Sequence, residues 1–174
     1  MQSLTDAVYP SLSALSAGSD NSAFLAERAI LTSRNSEVAE LNNALLDQFL
    51  GPDKTYNSAV SVVSEVASDE HLQGAYAPEV LASLNASGIP LVVLKLKKGA
   101  LVMMLRNIDP LLGICNGSRG LIEWMSECVI QIWLLTGTHS GQLVLIPCMT
   151  LTSGPDDFPF TLQQHQFPFH LALP

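Results

Sequence analysis

The basic side chains of this sequence are gathered in one short segment. Residues 91–120 hold five of the eight lysines and arginines and a single acid, Asp109. Ammonium and guanidinium groups bind phosphate oxygens, and a basic rim on a small β-barrel is a common way to hold a single-stranded nucleic-acid backbone. A solvated strand face would carry the same charges, and this alternative stays open. The candidate contacts are Lys95, Lys97, Lys98, Arg106 and Arg119, with Asn116 in the Asn116-Gly117 turn.

A second set of polar residues precedes the first clear helical pattern. Thr32, Ser33, Arg34 and Asn35 stand between a short apolar run and that helix. The free amides at the start of a helix attract anions, and an arginine beside them adds positive charge. Helix capping accounts for Asn35 but leaves Arg34 unexplained. We therefore predict an anion site near Thr32, Arg34 and Asn35.

Other reactive chemistry is poorly represented in the sequence. A P-loop needs Gly-Lys followed by Ser or Thr, and no Gly-Lys dipeptide occurs. The Asp69-Glu70 pair does not follow an apolar strand, which makes it a poor magnesium motif. His165 and His170 are five residues apart, which places them on opposite faces of a strand. We therefore predict no catalytic residue and no metal ligand.

The composition is that of a folded domain. The chain has 174 residues, of which 48% are hydrophobic and 14% charged, enough to fill a core in one domain or two small ones. The net charge of −8 argues against a free-standing nucleic-acid binder. That charge is uneven, because residues 91–120 carry +4 between −8 in residues 1–90 and −4 in residues 121–174. The three cysteines form no CxxC pair, which fits a reducing intracellular compartment.

The sequence predicts no membrane partner. Residues 128–155 lack charged side chains, but glycines and polar residues at 137–142 interrupt this apolar run. Neither half reaches the roughly 20 apolar residues that a spanning helix needs. The N-terminus lacks the basic start of a signal peptide.

The first half of the chain predicts a unit of a parallel α/β sheet. Residues 29–32 are an apolar run of buried-strand type, and a helix capped by Asn35 or Ser36 runs to Phe49, before Gly51-Pro52. A second strand is predicted over residues 55–66 and a helical turn over residues 78–84. A strand, a tight turn and a helix are the building unit of α/β folds.

From residue 91 onward the hydrophobic period changes to two. Further strands are predicted over residues 100–105, 129–135, 143–151 and 169–173, with turns at Gly99, Asn116-Gly117 and residues 136–141. Trp124 and Trp133 fall within apolar strands, where packing in the core is favoured over stacking on nucleic-acid bases. The predicted fold class is therefore α/β, a partial α/β domain with an inserted small antiparallel β-barrel.

Several of these segments follow one another in an order typical of one family. They are FLAERAILTSRN at 24–35, LKLKKGA at 94–100, MLRN at 104–107, GICNGSR at 113–119, LTG at 135–137, VLIP at 144–147 and QFP at 166–168. Together they resemble the C-terminal part of the PIF-type (petite integration frequency) ATP-dependent DNA helicases, including the helicases of Helitron rolling-circle transposons. The resemblance covers about residues 8–173.

This resemblance implies a fragment of a motor enzyme. In the family, two RecA-like domains enclose ATP and magnesium, and a small barrel inserted in the second contacts or guards single-stranded DNA. By resemblance, residues 1–23 are a loop or helical lead-in and residues 24–90 part of the second RecA-like domain. Residues 91–152 are the inserted barrel, and residues 153–174 return to the RecA-like domain. Thr32, Arg34 and Asn35 would then lie near the nucleotide, and the six candidate contacts of the basic segment would bind DNA.

The leading hypothesis is part of a DNA helicase that is inactive alone, because it lacks the P-loop and the magnesium carboxylate. The resemblance implies a nuclear location and roles in DNA repair, recombination or telomere maintenance. Single-stranded DNA and the missing first helicase domain are the expected partners. ATP and magnesium belong to the complete enzyme, and no cofactor is expected for this chain alone. The alternative is a non-enzymatic β-barrel module that binds single-stranded DNA or protein.

The sequence departs from the family in one direction. Gln142, Cys148 and residues 161–165 occupy positions where the family typically carries arginine or lysine. Each lost positive charge is expected to weaken binding to phosphates, because fewer counterions are released.

Overall fold

The computed structural model describes residues 35–63, 80–81, 84 and 88–172. The elements with bounds inside these residues are one α-helix, one short 3₁₀ turn and ten strands, and Val80 and Leu81 are also helical. The elements are α1 (Asn35–Gln48), β1 (Asp53–Asn57), β2 (Ala59–Val63), β3 (Val93–Lys97), β4 (Leu101–Met104), the 3₁₀ turn (Pro110–Leu112), β5 (Arg119–Met125), β6 (Val129–Leu134), β7 (Leu143–Pro147), β8 (Met149–Thr152), β9 (Thr161–Gln166) and β10 (Phe169–Leu171). The predicted strand at 29–32 lies outside the described residues.

Helix α1 forms as its apolar spacing predicts. It begins at Asn35 and ends at Gln48, two residues before Gly51-Pro52. Leu41, Leu45, Leu46 and Phe49 are buried, because spacings of three and four residues place them on one face of the helix. This face is the contribution of α1 to the main core.

The strands form three antiparallel groups. Strands β1 and β3 form a two-stranded sheet. A second sheet has five strands in the order β10-β4-β5-β6-β7, and a third has three strands in the order β2-β9-β8. Gly99 and Gly117, at two of the predicted turns, have φ angles of 83° and 82°, which a residue with a Cβ rarely adopts. The α/β class and the antiparallel second half are as predicted, whereas β1 and β2, the described strands of the first half, pair antiparallel and not in the predicted parallel sheet.

Two predicted single strands are each divided between two sheets. The strand predicted over 55–66 is β1 and β2, which meet at Ser58, where the chain leaves β3 and joins β9. The strand predicted over 143–151 is β7 and β8, which part at Cys148. Continuous apolar patterns hide such changes of partner, because burial alternates in the same way on both sides of the break. Here Pro147, which has no N–H, marks the second break.

The C-terminal segment is built into both larger sheets. Strand β9 is the central strand of the β2-β9-β8 sheet, and β10 pairs with β4 at the edge of the five-stranded sheet. Phe167 and Phe169 are fully buried in the main core together with Leu45 and Leu96. Strand pairing therefore crosses the predicted domain boundaries at residues 90 and 152.

A smaller apolar cluster lies beside the main core. Val62 on β2, Leu81 and Leu162 on β9 are buried together. The rings of Phe158 and Phe160 stack at 5.5 Å and pack against this cluster. The β2-β9-β8 sheet thus contributes to an apolar cluster that is separate from the main core.

Candidate nucleic-acid interface

Three lysines surround the start of β1, and we call them the lysine cluster: Lys54, Lys95 and Lys98. Lys95 Nζ lies 3.1 Å from Asp47 Oδ1 and 3.8 Å from Asp53 Oδ2. The antiparallel β1–β3 ladder brings these groups together, because it sets Thr55 opposite Lys95. Lys95 and Lys98 were predicted from the sequence.

The other two lysines are also paired with carboxylates. Lys98 Nζ is 2.7 Å from Glu123 Oε1, and Lys54 Nζ is 2.6 Å from Glu127 Oε1. The Glu127 side chain is 85% exposed. Exposed pairs of this kind contribute little to stability and are screened by salt, so an incoming anion can replace the carboxylate.

Two lysines of the cluster, Lys54 and Lys95, have pKa values raised by their carboxylate partners. The hydrogen bond to Asp47, with the negative charge of the same group, raises the pKa of Lys95 above 10.5. The hydrogen bond to Glu127 raises the pKa of Lys54 in the same way. Both ammonium groups are therefore available to phosphates over the whole physiological pH range.

A cleft of about 380 Å³ opens between two members of the lysine cluster. Lys54 and Lys98 line it together with Pro52, Asp53, Glu123, Trp124 and Met125. Trp124 is 53% exposed, whereas the sequence assigned it to the core. A register shift between Ile122 and Trp124 is the cause, because the extra residue Glu123 turns Trp124 to the outer face.

Lys97 does not lie on the exposed surface that the sequence predicts for it. Its side chain is 8% exposed, and Nζ donates a hydrogen bond of 2.9 Å to the Phe49 carbonyl after helix α1. The alternation of β3 suggested a solvent-facing lysine, but the end of the helix covers this position. A cation at a helix C-terminus is favourable, since the last carbonyls carry partial negative charge. We therefore remove Lys97 from the candidate DNA contacts.

Arg106 and Asn116 lie in another part of the fold. The Arg106 guanidinium donates hydrogen bonds to the carbonyls of Gly88 and Thr152, which ties residue 88 to the end of β8. Asn116 is exposed, and its N–H donates to Asn107 Oδ1 at 2.8 Å. Both residues hold loops in place, and their contact with DNA stays a prediction.

Arg119 stands at the first position of β5, whereas Lys98 pairs with Glu123 four residues further along that strand. At 3.3 Å per residue these positions are about 13 Å apart. The Arg119 N–H donates to Thr136 Oγ1 at 3.0 Å. The structure therefore places Lys54 and Lys98 at one cleft and Lys95 beside Asp53, which also lines that cleft, whereas Arg119 lies at the opposite end of β5.

The predicted anion site at the start of the helix is largely outside the described residues. Thr32 and Arg34 are not among them, and Asn35 is described only as the first residue of α1. Their role near a nucleotide stays a prediction. Within the described part of the chain, no group of three or more His, Cys, Asp or Glu is placed to hold a metal ion.

Sequence reasoning missed Lys54, and for Trp124 it favoured packing in the core over base stacking. Lys54 stands in the acid-rich first half, and only the pairing of β1 with β3 brings it near Lys98. The bulge at Glu123 turns Trp124 to the outer face, and no turn residue in the sequence indicates this bulge. An exposed tryptophan next to lysines is a recognisable signal only when strand register is known.

The glutamines of β9 have a structural role. Gln164 Nε2 donates to the Pro90 carbonyl at 3.0 Å, and Gln166 Nε2 donates to the Tyr56 carbonyl at 3.2 Å. Both side chains are buried. The buried side chain at position 164, where the family was expected to carry a basic residue, therefore fastens β9 to the segment before β3.

Comparison with known proteins confirms the predicted resemblance. Residues 79–124 match the family model of the 2B domain of the DNA helicase Pif1. This match includes Lys95, Lys98 and Trp124. No curated protein matches the sequence. In the described part of the chain, the single long helix is too short and too polar to span a bilayer.

Solved Pif1 helicases share the fold. The Candida albicans Pif1 helicase is 18% identical with a TM-score of 0.55, over 90% of this chain and 40% of that chain. Bacteroides Pif1 bound to single-stranded DNA is 21% identical with a TM-score of 0.51, over 90% and 35%. Bacteroides Pif1 with ADP-AlF3 and single-stranded DNA is 21% identical with a TM-score of 0.50, over 88% and 34%. This chain thus spans between a third and two fifths of these proteins.

Proposed function

We propose, from the Pif1 2B match over residues 79–124 and the Pif1 helicase fold around it, that this chain is part of a Pif1-type ATP-dependent DNA helicase. The observation that carries the proposal is that the matched segment itself supplies Lys95 and Lys98 of the lysine cluster. Roles in repair, recombination or telomere maintenance, a Helitron origin and a nuclear location are further proposals that rest on the family.

We further propose that residues 24–90 belong to the second RecA-like domain and residues 91–152 to the inserted barrel. The support is a helix with one apolar face at residues 35–48 and short antiparallel strands after residue 91. The strands β9 and β10 would then join the two parts. In the complete enzyme, ATP and magnesium would bind between this domain and a first one that carries the P-loop.

The described residues do not fit ATP and magnesium by themselves. They contain no group of carboxylates, histidines or cysteines suited to a metal, and the sequence contains no Gly-Lys for a P-loop. We therefore assign no step of ATP hydrolysis to them. We expect no ATP turnover by the purified chain, and measurable turnover that survives repurification would contradict this proposal.

The function we assign to the described residues is binding of the single-stranded DNA backbone by the lysine cluster. Phosphates would replace Asp47, Glu123 and Glu127 as partners of the three ammonium groups. The exchange costs little because these pairs are exposed, and release of counterions from the DNA drives it. Binding of this kind is independent of base sequence and decreases steeply with salt.

Anisotropy of a labelled oligothymidylate tests this function. For single strands the logarithm of the binding constant falls by about 0.7 per phosphate contact for each tenfold rise in salt. Replacing Lys54, Lys95 and Lys98 with glutamine is therefore expected to flatten the slope by about 2. Glu123→Gln provides the matched control, because it removes a competing carboxylate and is expected to strengthen binding. An unchanged slope in the triple variant would refute the assignment.

The alternative is a module that binds DNA or protein without a motor. One observation favours this alternative: no residue of the lysine cluster belongs to the predicted nucleotide site at Thr32, Arg34 and Asn35. The two functions differ when the chain is joined to a Pif1 domain that carries the P-loop. A helicase part is expected to make DNA affinity depend on the bound nucleotide, whereas an independent module binds equally with and without nucleotide.

A further inference from the structure

Trp124 is presented to solvent by a defect in strand pairing. Ile122 pairs with Ile132 and Trp124 pairs with Gln131, so Glu123 is the extra residue of a bulge in β5. Without the bulge, Trp124 would lie on the same face as Met125 now does, toward the core. Bulges of this kind commonly redirect one side chain next to a functional site. Here the redirected side chain is an indole that is 53% exposed.

The charges around this indole balance one another. The cleft of about 380 Å³ is lined by Asp53, Lys54, Lys98 and Glu123, two acids and two bases, beside Trp124. Lys98 is held to Glu123, and Asp53 lies 3.8 Å from Lys95 of the lysine cluster. A cleft with an aromatic wall, no net charge and several hydrogen-bonding groups suits a flat, polar, uncharged group. Its volume is at the lower end of small-molecule sites.

We propose that Trp124 stacks on one unpaired base of the single strand whose phosphates the lysine cluster binds. This inference rests on the proposed DNA-binding function and adds a base-contacting residue to it. Asp53 and Glu123 can accept hydrogen bonds from the N–H groups that every base carries at its edge. The lysines lie close enough to hold the phosphates on either side, because Lys54 and Lys98 line the same cleft. Every base has a π-face, so the site tolerates any base.

The experiment isolates the fluorescence of Trp124 in the full chain. Trp133→Phe is the background, because the chain has two tryptophans and Trp133 is the other. Oligothymidylate is expected to quench Trp124 emission in this background at the concentration at which anisotropy reports binding. Trp124→Ala is expected to weaken binding about 5- to 10-fold, at the lower end of base stacking on an aromatic side chain. Trp124→Phe keeps a ring and is expected to restore most of the affinity.

An abasic strand of equal length separates base stacking from backbone contacts. It is expected to bind the Trp133→Phe protein and the Trp124→Ala variant with the same affinity, because it has no base to stack. Circular dichroism of Trp124→Ala confirms that the variant is folded, as expected for a half-exposed side chain.

Three results would overturn the proposal. Equal affinity of the parent and Trp124→Ala for oligothymidylate, without quenching, would remove the stacking role and leave salt-sensitive binding by the lysines intact. Absence of any DNA binding by the parent would overturn the proposed function as well. A change in Trp124 emission with protein concentration alone would show that a second copy of the chain covers the indole.

Discussion

The side-chain nitrogen of Lys97 donates to a backbone carbonyl, whereas those of Lys95 and Lys98 pair with carboxylates. Lys97→Met keeps the alkyl chain but removes the donor to the Phe49 carbonyl. A buried carbonyl left without a partner costs about 1–3 kcal/mol, so we expect the free energy of unfolding in urea to fall by that amount. Affinity for single-stranded DNA is expected to stay unchanged.

Lys98→Met is the matched control for Lys97→Met. Lys98 is exposed and pairs with Glu123, so its loss is expected to change stability by less than about 0.5 kcal/mol and to weaken DNA binding. A Lys97→Met protein that keeps its stability and loses DNA affinity would place Lys97 back on the binding surface.

Gly120 on β5 has no room for a side chain. A Cβ at this position would stand 2.3 Å from Ile132 Cγ2 and 2.9 Å from the Trp133 carbonyl oxygen. Gly120→Ala is therefore expected to destabilise the protein by about 1–3 kcal/mol, the usual cost of overpacking. Gly154→Ala is the control, because its Cβ would meet only the exposed Asp157 carboxylate at 3.1 Å. Equal urea midpoints for the two variants would contradict the close contact of β5 with β6.

His170 on β10 gives stability a dependence on pH. Burial lowers the pKa of His170 below its ordinary value of 6.5. The unfolded chain therefore takes up this proton at a higher pH than the folded chain, and stability falls as the pH drops below about 6.5. Urea unfolding at pH 7.5 and pH 5.5 is expected to show a smaller difference in His170→Gln than in the parent.

At the scale of elements, one amide fastens helix α1 to the last strand. Asn42 Nδ2 donates to the Leu171 carbonyl of β10 at 3.0 Å, across 129 residues of sequence. Asn42→Ala leaves that buried carbonyl unpaired and is expected to cost about 1–3 kcal/mol in thermal or urea unfolding. Asn43→Ala changes the same residue type on the exposed face of the helix and is expected to change little. Similar losses in both variants would show that the helix, and not its contact with β10, is affected.

The elements themselves were predictable from local pattern, and their partners were not. The apolar spacing of residues 38–49 correctly predicted helix α1, and the glycine turns at Gly99 and Gly117 were correctly placed. The sites at Ser58 and Cys148, where the chain changes sheet, and the bulge at Glu123 depend on contacts between distant strands. For the same reason the basic segment pointed to Lys95 and Lys98, whose contact with DNA stays a prediction, whereas Lys54 was missed, Trp124 was expected in the core and Lys97 at the surface.

At the scale of the whole molecule, the C-terminal segment completes both larger sheets. Removal of residues 153–174 takes away β9, β10 and the buried rings of Phe167 and Phe169. The shortened chain is expected to lose its cooperative unfolding transition, because β2 and β8 lose their shared partner and β4 becomes an open edge. A peptide of residues 153–172 added in trans is expected to restore the transition. A sharp transition without the peptide would show that the rest of the chain folds independently.

The resemblance to the helicase family was predictable because it is carried by short motifs in order, which need no knowledge of pairing. The division into an insert and a tail stays a prediction. It was drawn along the sequence, whereas β10 joins β4 and the buried Gln164 and Gln166 hold β9 against residues 56 and 90. The motifs therefore indicate the family from sequence alone, whereas the pairing of distant strands is visible only in the structure.

The pairing of β2 with β9 sets an order of events during synthesis. The two strands are about 100 residues apart in the sequence, and β9 is also the only partner of β8 among the described strands. During synthesis β2 and β8 leave the ribosome before their partner β9 has been made. The sheet can form only when β9, its last strand in the sequence, has emerged. Contacts of such long range slow folding, since the chain entropy is lost before the pairing energy is gained. Until β9 emerges, the apolar side of β2 is exposed to chaperones and to neighbouring chains.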